Sequence, residues 1–234
     1  MYLKLSTALT KRLRNLARQH HVSLFATLMS GWAVLLGRWS GQEEVLLGTR
    51  TLPRWRSGIE RVENTVALRL AVKADSTVEQ LLKHVESALA DAHEHWDVPN
   101  ENVVAALQPA RHDGPLLQAL MELSDVSPVR GDANQQPSQD LSDEARTAFE
   151  LTLSLNEAKG RICGTLKYAN ELFERETIER MVACWEVLLK GMVKHSRRPI
   201  GRVAMLPGAE RERVLYRFNA TRSEEHTSEL QSPI

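Results

Sequence analysis

The sequence predicts a protein of the α/β or α+β class, in which amphipathic helices are mixed with a few strands. Three observations support this prediction. Apolar residues recur at helical spacing in several long segments, other segments are apolar and rich in β-branched residues, and two alternating segments late in the chain flank a short turn. Hydrophobic residues make up 42% of the 234 residues, enough for a substantial core.

The amino-terminal third of the chain predicts two helices followed by two strands. Leucines at helical spacing predict an amphipathic helix over 7–20. A run that is apolar on most faces predicts a second, nearly buried helix over 23–40. Residues 43–51 are typical of a strand, and residues 64–72 are typical of a central strand.

The middle of the chain predicts one long helix and several shorter elements. Ser76 and Glu79 have the spacing of a capping box, which predicts a helix that begins there. This helix is expected to end near His95, because Pro99 follows closely. The pattern then predicts a short helix over 100–107, a strand over 116–123 and an exposed loop over 125–147.

The last third predicts a β-hairpin and two helices. Residues 149–156 and 162–169 alternate strictly between apolar and polar types, and the turn EAKG at 157–160 lies between them. An amphipathic pattern predicts a helix over 174–194, and a last helix is expected over 209–218.

Composition excludes several classes of function. Lysine plus arginine equals aspartate plus glutamate at 30 each, so no basic excess predicts nucleic-acid binding. No run reaches the roughly 18 apolar residues of a membrane span, and the start has no signal-peptide layout. Cys163 and Cys184 are too few for a disulfide framework and are expected to fill the core of a cytoplasmic protein.

The end of the chain has a different character from the rest. Residues 222–232 read RSEEHTSELQS, which is the translation of a common sequencing-adapter string. We therefore expect residues 222–234 to be a disordered cloning or assembly artefact and exclude them from functional reasoning. Resequencing the source locus across Thr221 tests this expectation.

The segment RQHHVSLFA contains the adjacent histidines His20 and His21. A histidine pair opens the acyl-transfer motif HHxxxDG, in which aspartate and glycine form the loop that presents the base. Phe25 and Ala26 occupy those two positions here, and phenylalanine accepts no hydrogen bond through its side chain. The pair is therefore predicted to lie at the carboxyl-terminal end of a helix, where a histidine interacts favourably with the negative end of the helix dipole.

A second histidine cluster is His93, His95 and Asp97, an HxHxD pattern that also occurs in zinc hydrolases. Helical residues two positions apart point in different directions, and no third histidine lies nearby, so a zinc hydrolase is only a distant alternative. Metal analysis of the purified protein would distinguish a zinc hydrolase from a protein that binds no metal at these residues. Glycine-rich phosphate loops and the GxSxG elbow are absent, so no catalytic residue and no metal ligand is predicted.

Six motifs in order resemble the C-terminal half of a condensation domain from a non-ribosomal peptide synthetase. The resemblance runs from about residue 3 to residue 220. The motifs are LFATLMSGWAVLLGRWSGQEEVLLGT, ENTVALRL, HWDVPNENVVAALQP, PLLQALM, the pair FELTLSL and GTLKYANELFERETIERM, and RPIGRVAMLPGAERERVLYRFNAT.

The resemblance implies an α/β fold with a mixed sheet and flanking helices, a single chloramphenicol-acetyltransferase-like lobe. In the family two such lobes form a V around a tunnel that admits the phosphopantetheine arms of two peptidyl carrier proteins, and an amide bond is formed there. The HHxxxDG histidine of the family lies in the N-terminal lobe, which is missing here. The fragment is therefore expected to be inactive alone.

The resemblance also implies a domain organisation. Residues 1–205 are expected to form the C-terminal condensation lobe, and residues 206–221 to begin a linker towards an adenylation domain. The expected partners are the missing lobe, peptidyl carrier proteins and the adenylation domain. The chain departs from the family at 60–63, which read ERVE instead of apolar residues, and at Asn100. This departure leaves a non-catalytic carrier-protein docking module as the alternative.

Individual site residues follow from the same resemblance. Asn64 and Thr65 are expected to line the substrate tunnel; the alternative for Asn64 is that it only caps the end of a strand. The other four motif positions are expected to be structural. Arg69 is expected to form an ion pair, and a loop near the interface between the lobes is expected to be shaped by His95, Asp97 and Pro99.

Overall fold

A computed structural model describes residues 1–51, 64–95, 98, 102–103, 106, 117–124 and 149–217. Over these residues the strands and helices are, in order, β1 (Tyr2–Lys4), α1 (Thr7–Gln19), α2 (Leu24–Ser40), β2 (Glu44–Thr51), β3 (Asn64–Ala71), α3 (Val78–Glu94), β4 (Ala119–Ser124), β5 (Leu151–Ala158), β6 (Arg161–Tyr168), α4 (Arg175–Lys194) and α5 (Gly208–Glu212). Ile200–Arg202 forms a 3-10 turn, and Arg213–Arg217 continues α5 as a π-helical turn.

Some predicted features lie outside the described residues. They are the ERVE segment at 60–63, Asp97, Pro99, most of the helix over 100–107, the loop over 125–147 and the tail over 222–234.

The strands form one mixed sheet in the order β1-β6-β5-β4-β2-β3. The three central strands β5, β4 and β2 are parallel, whereas β3, β6 and β1 each pair antiparallel with their neighbours. Helix α1 contacts β6, α2 contacts β2 and α3 contacts β3, so the sheet carries flanking helices. The predicted α/β class is therefore confirmed.

Helix α2 is buried along most of its length, as the uniformly apolar sequence predicts. Trp32 of α2 meets Trp185 of α4 edge to face, with ring centroids 5.8 Å apart at an interplanar angle of 85°. Such a pair contributes about 1 kcal/mol beyond the area that it buries. A side chain at Gly31 would lie 2.6 Å from Leu189 of α4, so this glycine permits the close approach of the two helices.

The cap of α3 lies one residue later than the sequence predicts. Thr77, not Ser76, accepts the hydrogen bond from the N3 backbone, and Gln80, not Glu79, reaches back to the cap. Both pairs have the capping-box spacing, but the Ser76 carbonyl accepts from the amide of Ile200 instead. The shift leaves Glu79 available for other partners.

The hairpin of β5 and β6 is confirmed, but its turn is shorter than predicted. Lys159 and Gly160 both have positive φ, at 51° and 74°, and Ala158 pairs with Arg161. A two-residue turn with positive φ at both positions matches the twist of the strands. The prediction of a four-residue turn was wrong because Glu157 and Ala158 continue the ladder.

Two further elements differ from the sequence prediction. Strand β1 was not predicted, because three residues are too few to reveal an alternating pattern; it pairs with β6 through Leu3 and Gly164. The helix expected over 209–218 becomes π-helical at Arg213.

Within the described residues, no single helix is long and apolar enough to cross a membrane. Helices α1 and α2 meet the length and composition criteria only when taken together, and a bend of 105° separates them.

Replacing Gly164 by alanine tests the packing of the antiparallel strands. The new methyl group would lie 2.3 Å from the backbone oxygen of Ser154 and 3.1 Å from the Cα of Leu155, neither of which can rotate away. We expect the free energy of unfolding in urea to fall by about 1–3 kcal/mol. Gly208→Ala is the matched control, since nothing lies within 4 Å of its methyl position. Equal stability of the two variants would contradict the register of β6.

Candidate functional site

A row of polar side chains crosses the sheet on the face opposite to that of the buried Leu153 and Leu166. Register pairs join Tyr2 to Thr165, Thr165 to Ser154, Ser154 to Glu122, and Arg50 to Thr65. We call these residues the polar row: Tyr2, Thr165, Ser154, Glu122, Arg50 and Thr65. The row has one member on each of the six strands, and these members lie side by side across the sheet. This face of the sheet is therefore polar along the row, whereas the face covered by helices is apolar.

Two charges lie at the centre of the polar row. Nη1 of Arg50 is 3.9 Å from Oε2 of Glu122, and the hydroxyl of Ser154 donates to Oε1 of the same carboxylate. The side chains of Arg50 and Glu122 are only 20% and 26% exposed. Partial burial strengthens the attraction between these two charges relative to that of an exposed pair.

Asn64 is the first residue of β3, and its side-chain amide donates to the carbonyl of Val98 at 2.6 Å. This bond joins the start of the strand to the segment that follows α3. Thr65 lies beside Arg50 in the ladder. Both predicted tunnel residues are half-buried and lie beside the carboxyl-terminal end of β2. As neighbours in a strand they point to opposite faces of the sheet, Thr65 to the face of the polar row.

The other predicted motif positions lie away from the polar row. Arg69 forms an ion pair with Glu44 on the adjacent strand at 3.0 Å, and both side chains are more than half exposed. His93 lies in the last turn of α3 and His95 is its C-cap; both are exposed. In the ranges that the structure describes, no group of three or more metal-ligating side chains is arranged to hold a metal ion.

The histidine pair occupies the junction between α1 and α2, as the sequence predicts. His20 is the C-cap of α1, and its mostly buried ring has Nδ1 3.9 Å from Oε1 of Glu79. His21 is exposed and adopts the left-handed region with φ of 56°. The amide of Val22 donates to the carbonyl of Ala17, which closes the helix end. The two histidines therefore lie in the turn at which the chain changes direction between α1 and α2.

The start of α2 is held by a contact that sequence reasoning missed. The hydroxyl of Ser23 accepts from the amide of Ala26, which caps the helix. The amide and the hydroxyl of Ser23 both donate to Oε2 of Glu86 in α3, at 2.9 and 2.7 Å. Ser23 before an apolar run predicts the cap, but no local signal identifies Glu86, which is 63 residues away.

Beside this junction lies an open cleft of about 470 Å³, which we call the carboxyl-end cleft. It is bounded by the start of α2 and by the carboxyl-terminal ends of the parallel strands β2, β4 and β5. Ligands of α/β sheets bind at this end of the strands. Its lining is Ser23, Leu24, Phe25, Arg50, Leu123, Glu157 and Ile162.

Comparison with known proteins identifies the family. The model of the condensation domain family matches residues 1–215, so the chain belongs to the condensation domain family. Malpibaldin synthetase of Mortierella alpina is 32% identical over 227 residues, which cover 94% of this chain and 4% of the synthetase. Chondramide synthase of Chondromyces crocatus is 32% identical over 225 residues, 93% of this chain and 6% of the synthase. The chain thus spans a small fraction of these curated relatives.

Solved structures share the fold. A four-domain nonribosomal peptide synthetase bound to AMP and glycine superposes with a TM-score of 0.79 at 24% identity, over 90% of this chain and 18% of that chain. The first condensation domain of the CDA synthetase gives a TM-score of 0.68 at 17% identity, over 88% of this chain and 48% of that one. The chain therefore aligns with about half of a solved condensation domain.

The contacts of Glu79 predict a pH dependence of stability. A hydrogen bond from Lys83, the charge of Lys83 and the nearby His20 and Arg197 lower the pKa of the Glu79 carboxyl below its ordinary value of 4.5. A carboxyl whose pKa is depressed by folding contributes stability above its unfolded pKa and loses it as the pH falls through the folded pKa.

The variant Glu79→Gln should therefore be less stable than the native chain at pH 7, and the difference should vanish as the pH falls well below 4.5. Urea unfolding across this pH range measures the difference. Glu94→Gln, at the exposed end of the same helix, should show no comparable change. A difference for Glu79→Gln that grows in acid would contradict the assigned contacts.

The Ser23–Glu86 contact predicts the effect of a second substitution. Glu86→Gln keeps the size of the side chain but removes the charge that accepts both hydrogen bonds, so the free energy of unfolding should fall by about 2 kcal/mol. Asp91→Asn changes an exposed carboxylate of the same helix and should leave stability within about 0.5 kcal/mol. Equal effects of the two substitutions would show that the junction is not held by Glu86.

Proposed function

We propose that the chain is the C-terminal lobe of a condensation domain that forms amide bonds between thioesters carried by peptidyl carrier proteins. The family match over residues 1–215 is the observation that supports this most directly. The alignment with 48% of a solved condensation domain supports one lobe of two.

The proposed reaction joins an acceptor and a donor aminoacyl thioester. The acceptor amine nitrogen bonds to the donor carbonyl carbon, the carbon–sulfur bond breaks, and the thiol of the donor phosphopantetheine arm leaves with the proton lost by the amine. Partner carrier proteins supply both arms, so the chain needs no resident cofactor.

In this proposal the residues of the chain bind and orient the aminoacyl thioester substrates. The polar row, with Thr65 at its β3 end, forms one wall of the tunnel, and Asn64 holds the start of the same strand through its bond to Val98. The ion pair of Arg50 and Glu122, whose carboxylate also accepts a hydrogen bond from Ser154, offers a polar surface to the substrate there. In this proposal the base is the histidine of an HHxxxDG motif on an N-terminal lobe, and residues 1–234 alone are expected to form no product.

The finer organisation is part of the same proposal. Residues 1–205 form the lobe, residues 206–221 begin a linker towards an adenylation domain, and residues 222–234 are an adapter artefact. The buried Cys163 and Cys184, both free thiols, are compatible with the reducing cytoplasm in which we place the protein.

A non-catalytic docking module is the second candidate. The charged ERVE sequence at 60–63 favours it, because charges replace the apolar residues usual before the Asn-Thr pair. Such a module would bind carrier proteins without turnover.

Reconstitution tests the proposed function. The chain is co-expressed with an N-terminal condensation lobe that carries HHxxxDG, pairing is measured by co-purification, and dipeptide formation between loaded carrier proteins is measured by mass spectrometry. We expect a paired complex that forms product, and no product from either half alone. Pairing without product would favour the docking module, and failure to pair would contradict the lobe assignment.

Asn64→Ala should lower the rate of the reconstituted domain about tenfold, because the bond to Val98 that positions the strand start is lost. Arg69→Gln on the same strand breaks only an exposed ion pair and should leave the rate within about twofold. Equal rates for the two variants would remove Asn64 from the site.

A further inference from the structure

The carboxyl-end cleft has a lining whose charges are already paired. Arg50 faces Glu122, and Glu157 forms an ion pair with Arg14 of α1. One positive and one negative charge thus border the cleft, and each has a partner of opposite sign. A charged ligand would have to compete with these partners, so the cleft has no net preference for either sign of charge.

The remaining lining is mostly apolar. Leu24 and Phe25 project from the first turn of α2, Leu123 lies near the end of β4, and the fully buried Ile162 lies on β6. The first three side chains are half-buried, so they retain apolar surface that a ligand can cover. The volume of about 470 Å³ is within the usual range of small-molecule pockets and exceeds any amino-acid side chain.

The position of Phe25 is fixed from outside the cleft. Ser23 caps α2 and is itself held by two hydrogen bonds from its amide and hydroxyl to Glu86. The helix start therefore cannot shift without breaking contacts to α3. A wall that is already ordered loses little entropy when a ligand binds, which favours recognition by shape.

We propose that the carboxyl-end cleft is a subsite for an aliphatic or aromatic side chain of an aminoacyl thioester, with Phe25 as its principal specificity-determining residue. The proposal rests on the proposed function for the source of the ligand. Arg50 lines the cleft and also belongs to the polar row, so a side chain in the cleft lies beside the proposed tunnel wall.

Direct binding to the chain tests the proposal without any turnover. The probes are N-acetylcysteamine thioesters of N-acetyl-phenylalanine, N-acetyl-leucine, N-acetyl-aspartate and N-acetyl-lysine, and calorimetry or ligand-detected NMR measures the dissociation constants. We expect the two apolar probes to bind at least about tenfold more tightly than the two charged probes. Equal affinity for all four probes would overturn the proposal.

Variants locate the binding. Phe25→Ala should weaken the phenylalanine probe about tenfold and leave the charged probes unchanged. Leu172→Ala removes a leucine that is 59% exposed and lies outside the cleft lining, and should change nothing. A matching loss in both variants, or no loss in Phe25→Ala, would place the ligand elsewhere.

A third variant is expected to bind one probe more tightly, a result that damage to the fold would not produce. Arg14→Gln leaves Glu157 on the cleft wall without its cationic partner, so the lysine probe should bind several-fold more tightly than to the native chain. Unchanged lysine affinity in a variant that still melts cooperatively would contradict the paired-charge account of selectivity. The probes do not react, so the binding results are independent of the reconstitution assay. Selective binding of the apolar probes together with no dipeptide in that assay would support the subsite and contradict amide formation.

Discussion

The burial of α2 between the sheet and the other helices is the constraint on which the rest of the structure depends. Gly31 allows α4 to approach, and the contact of Trp32 with Trp185 fixes the relative orientation of the two helices. Side chains that are fully buried on such a helix each contribute about 1.5–3 kcal/mol. At its end Gly41 adopts a φ of 71°, which releases the chain into β2.

Both ends of this helix are also tied to distant parts of the chain. At the start, Glu86 of α3 accepts from Ser23, and this contact sets the wall of the carboxyl-end cleft. Near the end, Arg38 donates to the carbonyl of Val203 at 2.7 Å, which holds the segment after α4 against the helix. The same segment supplies the Arg198 carbonyl to the amide of Val78 at the start of α3. The cleft is thus positioned by the core rather than by loops.

Local patterns in the sequence predict most of the fold. Strict alternation identifies the β5–β6 hairpin, and helical spacing identifies α1, α3 and α4, because in each case the burial of one face produces the pattern. The cap of α3 was misplaced by one residue because two capping-box pairs overlap. Tertiary backbone bonds between the segment after α4 and residues Ser76, Val78 and Glu79 accompany the cap at Thr77, and no local pattern predicts them. Strand β1 is too short to show any period.

The candidate site depends on contacts that sequence patterns do not encode. The polar row is assembled from six strands whose order differs from their order in the chain, so its members cannot be grouped from spacing. Phe25 illustrates the difference: in the sequence it only argues against HHxxxDG, whereas in the fold it lines the cleft. The resemblance to condensation domains predicted Asn64 and Thr65, but it did not predict Arg50, Glu122 or Glu86.

In the proposed two-lobe domain, this chain supplies one wall of a shared tunnel through the polar row and the carboxyl-end cleft. The most direct measurement is a crystal structure of the chain paired with an HHxxxDG lobe and bound to a non-hydrolysable aminoacyl thioester analogue. We expect the thioester carbonyl to lie between the HHxxxDG histidine and the polar row, with the aminoacyl side chain against Phe25. An analogue that touches neither the polar row nor Phe25, or a histidine that faces away from the polar row, would contradict this arrangement.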